Sequence, residues 1–160
     1  MKNLVLAAAV LFAFTVFAED DDLKPAQEEA KAAFEKDIAD NLKAANEKCG
    51  INLAMPTVDW KNYSKEAVSN MSLSGYCGGA IIDSLGAMCA RPAYKKAIAK
   101  KVTSLKCNIV GGRAPEKGEN YNVHTQAHIK LEKGVLSYTL QKGHTNLTDN
   151  GKAVLEKAFN

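Results

Sequence analysis

Residues 77–107 read CGGAIIDSLGAMCARPAYKKAIAKKVTSLKC, and the way this stretch folds decides how the chain is held together. Between Gly79 and Ala90, the residues Ile81, Ile82, Leu85, Met88 and Cys89 fall on one side of a helical wheel, the signature of a buried helix. Pro92 interrupts that helix, because proline lacks the amide proton and clashes with the preceding turn. Tyr94, Ile98, Val102 and Leu105 then mark a second amphipathic helix, expected from Pro92 to Leu105.

These two helices constrain the cysteines. In a continuous helix Cys77 and Cys89 stand about 18 Å apart at 1.5 Å per residue, whereas a bridge needs α-carbons within about 7 Å. Cys89 and Cys107 flank a helix of similar length. If the chain doubles back at Pro92, the start of one helix meets the end of the next. Cys77 then approaches Cys107, and Cys49 is left for Cys89. The pairing Cys49–Cys89 with Cys77–Cys107 is favoured.

Disulfides are expected here because of an address written upstream. Lys2, the apolar run Leu4 to Val16 and the small residues of Val16-Phe17-Ala18 have the layout of a secretory leader over residues 1–18. Its apolar run falls short of the roughly 20 residues a bilayer span requires, so nothing membrane-spanning is expected after cleavage. An exported chain with four cysteines reads as a disulfide framework. Secreted or periplasmic localisation follows, with residues 19–160 as one domain and residues 19–24, rich in acids, expected to be disordered.

Outward from residues 77–107, the period changes twice. Toward the N-terminus, Ala30, Phe34, Ile38, Leu42 and Ala45 recur at helical spacing behind Pro25, predicting a helix from Pro25 to Lys48 that Gly50 terminates. Trp60, the single tryptophan, reads as a core anchor. A short helical turn is expected over residues 65–70. Beyond Cys107 a short strand is expected up to Val110. From Tyr121 to Leu131, apolar and polar residues alternate, which reads as one long half-buried strand. Lys133-Gly134 reverses it, and Leu136, Tyr138 and Leu140 return on one face. A last helix is expected from Thr148. The predicted class is α+β: disulfide-linked helices, beginning with Pro25–Lys48, Ser74–Ala90 and Pro92–Leu105, packed on a small antiparallel sheet with a long C-terminal hairpin and a terminal helix.

Chemistry is sparse. No Gly-rich phosphate loop, H-E-x-x-H pair, nucleophile elbow or calcium loop occurs. On an extended strand, His124 and His128 lie about 13 Å apart, too far to share one ion, so no metal and no cofactor are expected. The net charge of +3 and the absence of aromatics among the lysines speak against nucleic acid. Between Asp83 and Glu116 there is no acid, while Arg91, Lys95, Lys96, Lys100, Lys101, Lys106 and Arg113 all fall there. With His124 and His128, this basic stretch is the expected contact surface for an anionic envelope component or another secreted protein. Asn62, Asn70 and Asn146 head Asn-x-Ser/Thr triplets, acceptors only where the source glycosylates exported proteins.

The expected role is therefore a non-enzymatic, disulfide-stabilised binding protein of the bacterial periplasm or extracellular space. Two alternatives are a small secreted hydrolase using Asp83 with a histidine, and a structural or stress-protective envelope protein.

Overall fold

The computed structural model describes residues 23–64, 72–109, 113–141 and 143–160. The leader, the acidic residues that follow it, the turn at residues 65–70 and the strand end at Val110 lie outside these residues.

Helix α1, Pro25–Cys49, buries a single stripe of Phe34, Ile38, Leu42 and Ala45, the positions its spacing marks out. It ends where Gly50 takes a left-handed φ of 68° and returns its amide to the Asn46 carbonyl. Trp60 packs edge-on against Phe34, ring centroids 5.5 Å apart, as a core anchor. Helix α2 is built in three successive parts: Leu73–Cys77, a π-helical stretch Gly78–Asp83, and Ser84–Met88. Ala80, Ile81, Ile82, Leu85 and Met88 are buried along it. Just past the π stretch, the Ser84 hydroxyl donates back to the Ala80 carbonyl at 2.6 Å.

Helix α3, Pro92–Lys101, is shorter than its sequence periodicity predicts. Val102 is already extended, and Leu105 belongs instead to strand β2, Ser104–Asn108. The β-branched pair Val102-Thr103 favours that break. Leu105 is as well buried facing a sheet as it would be on a helix, so apolar spacing alone could not separate the two.

The sheet is mixed rather than antiparallel. Strand β1, Thr57–Val58, runs parallel to β2, and β2 runs parallel to β4, Val135–Thr139. Strand β3, Ile129–Glu132, completes the order β1-β2-β4-β3 as the antiparallel partner of β4. The hairpin thus docks its second strand on β2. Its reversal uses Lys133 and Gly134 with φ of 49° and 85°, as a tight two-residue turn requires. The expected long strand is cut short: Tyr121–Ala127 forms helix α4. Helix α5, Leu147–Phe159, closes the fold. No helix among the described residues is long and apolar enough to cross a membrane.

Two bridges tie the layers together. Cys49–Cys89 joins the end of α1 to the end of α2, with α-carbons 5.1 Å apart. Cys77–Cys107 joins α2 to β2 across 6.1 Å. Helix α5 then approaches the π stretch so closely at Gly151 that a β-carbon there would collide with the Ser84 hydroxyl and the Ala80 carbonyl.

Two predictions follow from this packing. The double variant Cys77→Ala/Cys107→Ala should lose about 3–4 kcal/mol of stability, because it frees a loop of 30 residues in the unfolded chain; urea unfolding that leaves the midpoint unmoved would contradict this. Gly151→Ala should cost about 3 kcal/mol by overpacking, read as a lower Tm, and an unchanged Tm would show that α5 has room to shift.

Candidate metal centre of three histidines

Helix α4 starts where the Asn120 side chain accepts hydrogen bonds from the amides of Asn122 and Val123 at 2.9 and 3.3 Å, an N-cap that satisfies two otherwise orphaned donors. Four residues per step then return to the same helical face. His124 sits on that face, and His128, the residue that closes the helix, follows one turn later. The extended reading of this segment, and with it the 13 Å separation that kept these two side chains from a common ion, is corrected.

His144 completes the group from the other side. It lies between β4 and α5, where Tyr138 projects from β4 and its phenol contacts His144 Nδ1 at 2.7 Å. The three rings form a nearly equilateral triangle, with centroids 4.6, 4.8 and 5.0 Å apart. One nitrogen from each lies within 4.8 Å of the others. These are all the histidines in the chain.

Buried polar groups hold the triangle in place. Asn150 of α5 is 3% exposed; it accepts from the Gln126 amide at 2.8 Å and donates to Asn122 and to the Thr145 carbonyl. The Thr145 amide in turn donates to the Thr125 hydroxyl at 3.2 Å. Helix α4 and the segment carrying His144 are thereby fixed to one another through α5.

The hydrogen-bond partners decide which nitrogens face inward. His128 Nδ1 lies 2.9 Å from the His124 carbonyl, which only accepts, so the proton sits on Nδ1 and Nε2 keeps its lone pair. His124 Nδ1 lies 3.4 Å from a Glu119 carboxylate oxygen, too poorly aligned for a hydrogen bond but an attraction that favours the proton there as well. Glu119 stays ionised because its hydrogen bonds from Arg113 and the Glu116 amide lower its pKa to about 2. For His144, the tautomer that donates from Nδ1 to Tyr138 leaves Nε2 free in the same way. Nδ1 of His128 and of His144 thus each meets an oxygen at hydrogen-bond distance, the arrangement by which neighbouring groups orient metal-binding imidazoles, while His124 Nδ1 has the carboxylate contact alone.

Burial makes this geometry costly unless it is used. His124 is completely buried and His144 5% exposed. Among the described residues both ring nitrogens of His124 and Nε2 of His144 have no hydrogen-bond partner, and each such orphan costs about 1–3 kcal/mol. Desolvation, helped by the other two rings, lowers the His144 pKa to about 4. It is therefore neutral under ordinary conditions, the state in which imidazole binds a metal.

The other residues singled out by sequence are placed differently. Arg91 pairs with Glu156 and lies over the Tyr94 ring. Lys101 donates to the Ala158 carbonyl and lies near the Phe159 ring. Arg113 grips Glu119 with both terminal nitrogens at 2.8 Å. Lys95, Lys96, Lys100 and Lys106 are exposed, the first three around α3 and the last on β2. The basic stretch is thus divided between internal pairs and scattered surface charge.

Asp83 shares a groove with Asn41, Lys48 and Gly86, and no histidine lines it. Partial burial raises its pKa despite a hydrogen bond from Asn41. A carboxyl with a raised folded-state pKa contributes stability below its ordinary value of 3.8 and loses it as pH rises through the folded value. Asp83→Asn should therefore unfold at a slightly higher temperature than the parent at about pH 7, with the gap closing well below the ordinary carboxyl pKa. A lower Tm at neutral pH would show that the charge itself holds the groove together.

Comparison with protein families, with curated proteins and with solved structures finds no match. The chemistry of the three histidines stands on its own geometry.

Proposed function

We propose that this protein is an exported, disulfide-stabilised binding protein whose ligand is a divalent transition-metal ion held by His124, His128 and His144. The observation that carries the reading is the convergence of three imidazoles, two of which, His124 and His144, bury an Nε2 with no hydrogen-bond partner among the described residues. Three neutral nitrogen donors suit zinc, copper, nickel or cobalt, whereas calcium and magnesium want oxygen. Thiolate chemistry is closed, because all four cysteines are bridged. Those bridges and the apolar leader support the exported address, since disulfides persist in oxidising compartments.

A metal-assisted hydrolase is the second reading, favoured by the number of ligands. Catalytic zinc sites take three protein ligands and leave a position for water. In this version the metal centre replaces Asp83 as the seat of reaction.

Binding is tested with the purified chain and cobalt(II), whose visible spectrum reports nitrogen ligation. One equivalent should bind, and His124→Ala, His128→Ala and His144→Ala should each weaken binding by about a hundredfold or more, beyond the 10–100-fold typical of losing an outer partner. Zinc at a hundred times its Kd should stabilise the parent by about 2.7 kcal/mol and leave the triple variant unchanged. Equal uptake by parent and triple variant would end the metal reading. A metal-dependent turnover of activated esters, lost in the same variants, would favour the hydrolase.

A further inference from the structure

Residues 113–119 lie against the histidine triangle, and one contact is in conflict with a bound ion. The Arg113 backbone amide donates to His128 Nε2 at 3.4 Å. His128 has no other lone pair to offer, because its Nδ1 proton is committed to the His124 carbonyl at 2.9 Å. The amide and the metal therefore need the same pair of electrons.

Arg113 is held in this place by its own side chain. The guanidinium makes two parallel hydrogen bonds to Glu119, both at 2.8 Å, the paired geometry that gives arginine–carboxylate contacts their directionality. Glu119 also accepts from the Glu116 amide at 3.0 Å and lies 3.4 Å from His124 Nδ1. A single carboxylate thus clamps the segment and touches a second histidine of the triangle.

We infer that the Arg113 amide is a placeholder on the metal centre: a bound ion displaces it from His128, and the Arg113–Glu119 clamp sets how tightly and how fast the ion is taken. This rests on the metal-binding reading above. The mechanism is a competition of two partners for one nitrogen. Loosening the clamp lowers the cost of moving the amide aside, so it strengthens binding and speeds association. A side chain outside the triangle then regulates the affinity of the triangle.

The test uses the full chain with cobalt(II) as the probe for affinity and rate, and zinc for amide exchange. Arg113→Ala removes the clamp. Arg113→Lys keeps the positive charge beside Glu119 but loses the two-pronged grip, which separates clamping from unmasking the carboxylate. Both variants should bind cobalt faster and about two- to fivefold more tightly, the range that an exposed ion pair spans. In the parent, the Arg113 amide should exchange with solvent faster once zinc is bound, a readout that requires no variant to fold. Unchanged or weaker binding in both variants, gain in Arg113→Ala alone, or an Arg113 amide equally protected with and without zinc would overturn the placeholder. If the parent takes up no cobalt, the metal reading itself fails, and that outcome is distinct from normal uptake with an undisturbed amide.

Discussion

The Cys77–Cys107 bridge is the constraint from which the position of the candidate site follows. It fixes β2 to α2 in the middle of the molecule, and β2 sets the register of β4, with Cys107 opposite Tyr138. Tyr138 is fully buried there, and its phenol contacts His144. The same residue pairs with Ile129 of β3, and the Thr139 amide donates to the His128 carbonyl at 2.9 Å. One strand thus locates two of the three histidines. The third follows from helical geometry, because His124 lies one turn before His128 on α4.

Helix α4 runs against the usual segregation of residues, and that departure is the physical mark of the site. It buries His124 and Thr125 completely, while Tyr121 is 54% and Val123 60% exposed. The hydrophobic effect alone would roll the helix the other way, since each exposed apolar side chain forgoes burial and each buried imidazole nitrogen loses water. Thr125 recovers its loss by donating to the Tyr121 carbonyl at 2.7 Å and accepting from the Thr145 amide. His124 does not recover its own with any protein partner among the described residues. Departures of this kind concentrate at functional positions, where another requirement overrides local preference.

That inversion also explains what the sequence could and could not reveal. Helix α1 was readable because Phe34, Ile38, Leu42 and Ala45 carry a helical period that no strand shares. The cysteine pairing was readable because helix length and bridge geometry are both rigid quantities. Segment 121–131 was not readable, because a spacing of four is even: His124 and His128 share a face on a strand as well as on a helix. The two conformations differ only in distance, about 13 Å along a strand against about 6 Å along a helix, and that difference decides whether one ion can reach both. The cue that could have separated them is local. Asn120 is a strong helix cap, and its side chain takes the first free amides of α4. His144 was beyond any local cue, since only the register of β4 brings it near.

Charge narrows the identity of the ion further. The three imidazoles are neutral donors, so a divalent ion among them would keep its full charge in a buried setting, where an uncompensated charge is expensive. Among the described residues the carboxylate paired with a histidine of the triangle is Glu119, beside His124 Nδ1, and its own charge is partly taken up by Arg113. A site of this kind discriminates by the strength of the metal–nitrogen bond rather than by Coulomb attraction. It therefore favours ions late in the divalent first-row series, where affinity for nitrogen donors is greatest. It gives hard oxygen-seeking cations nothing to replace their water. The carboxylate beside His124 is also the one that clamps Arg113 over His128, so in the proposed metal centre a single side chain would bear on both charge compensation and access.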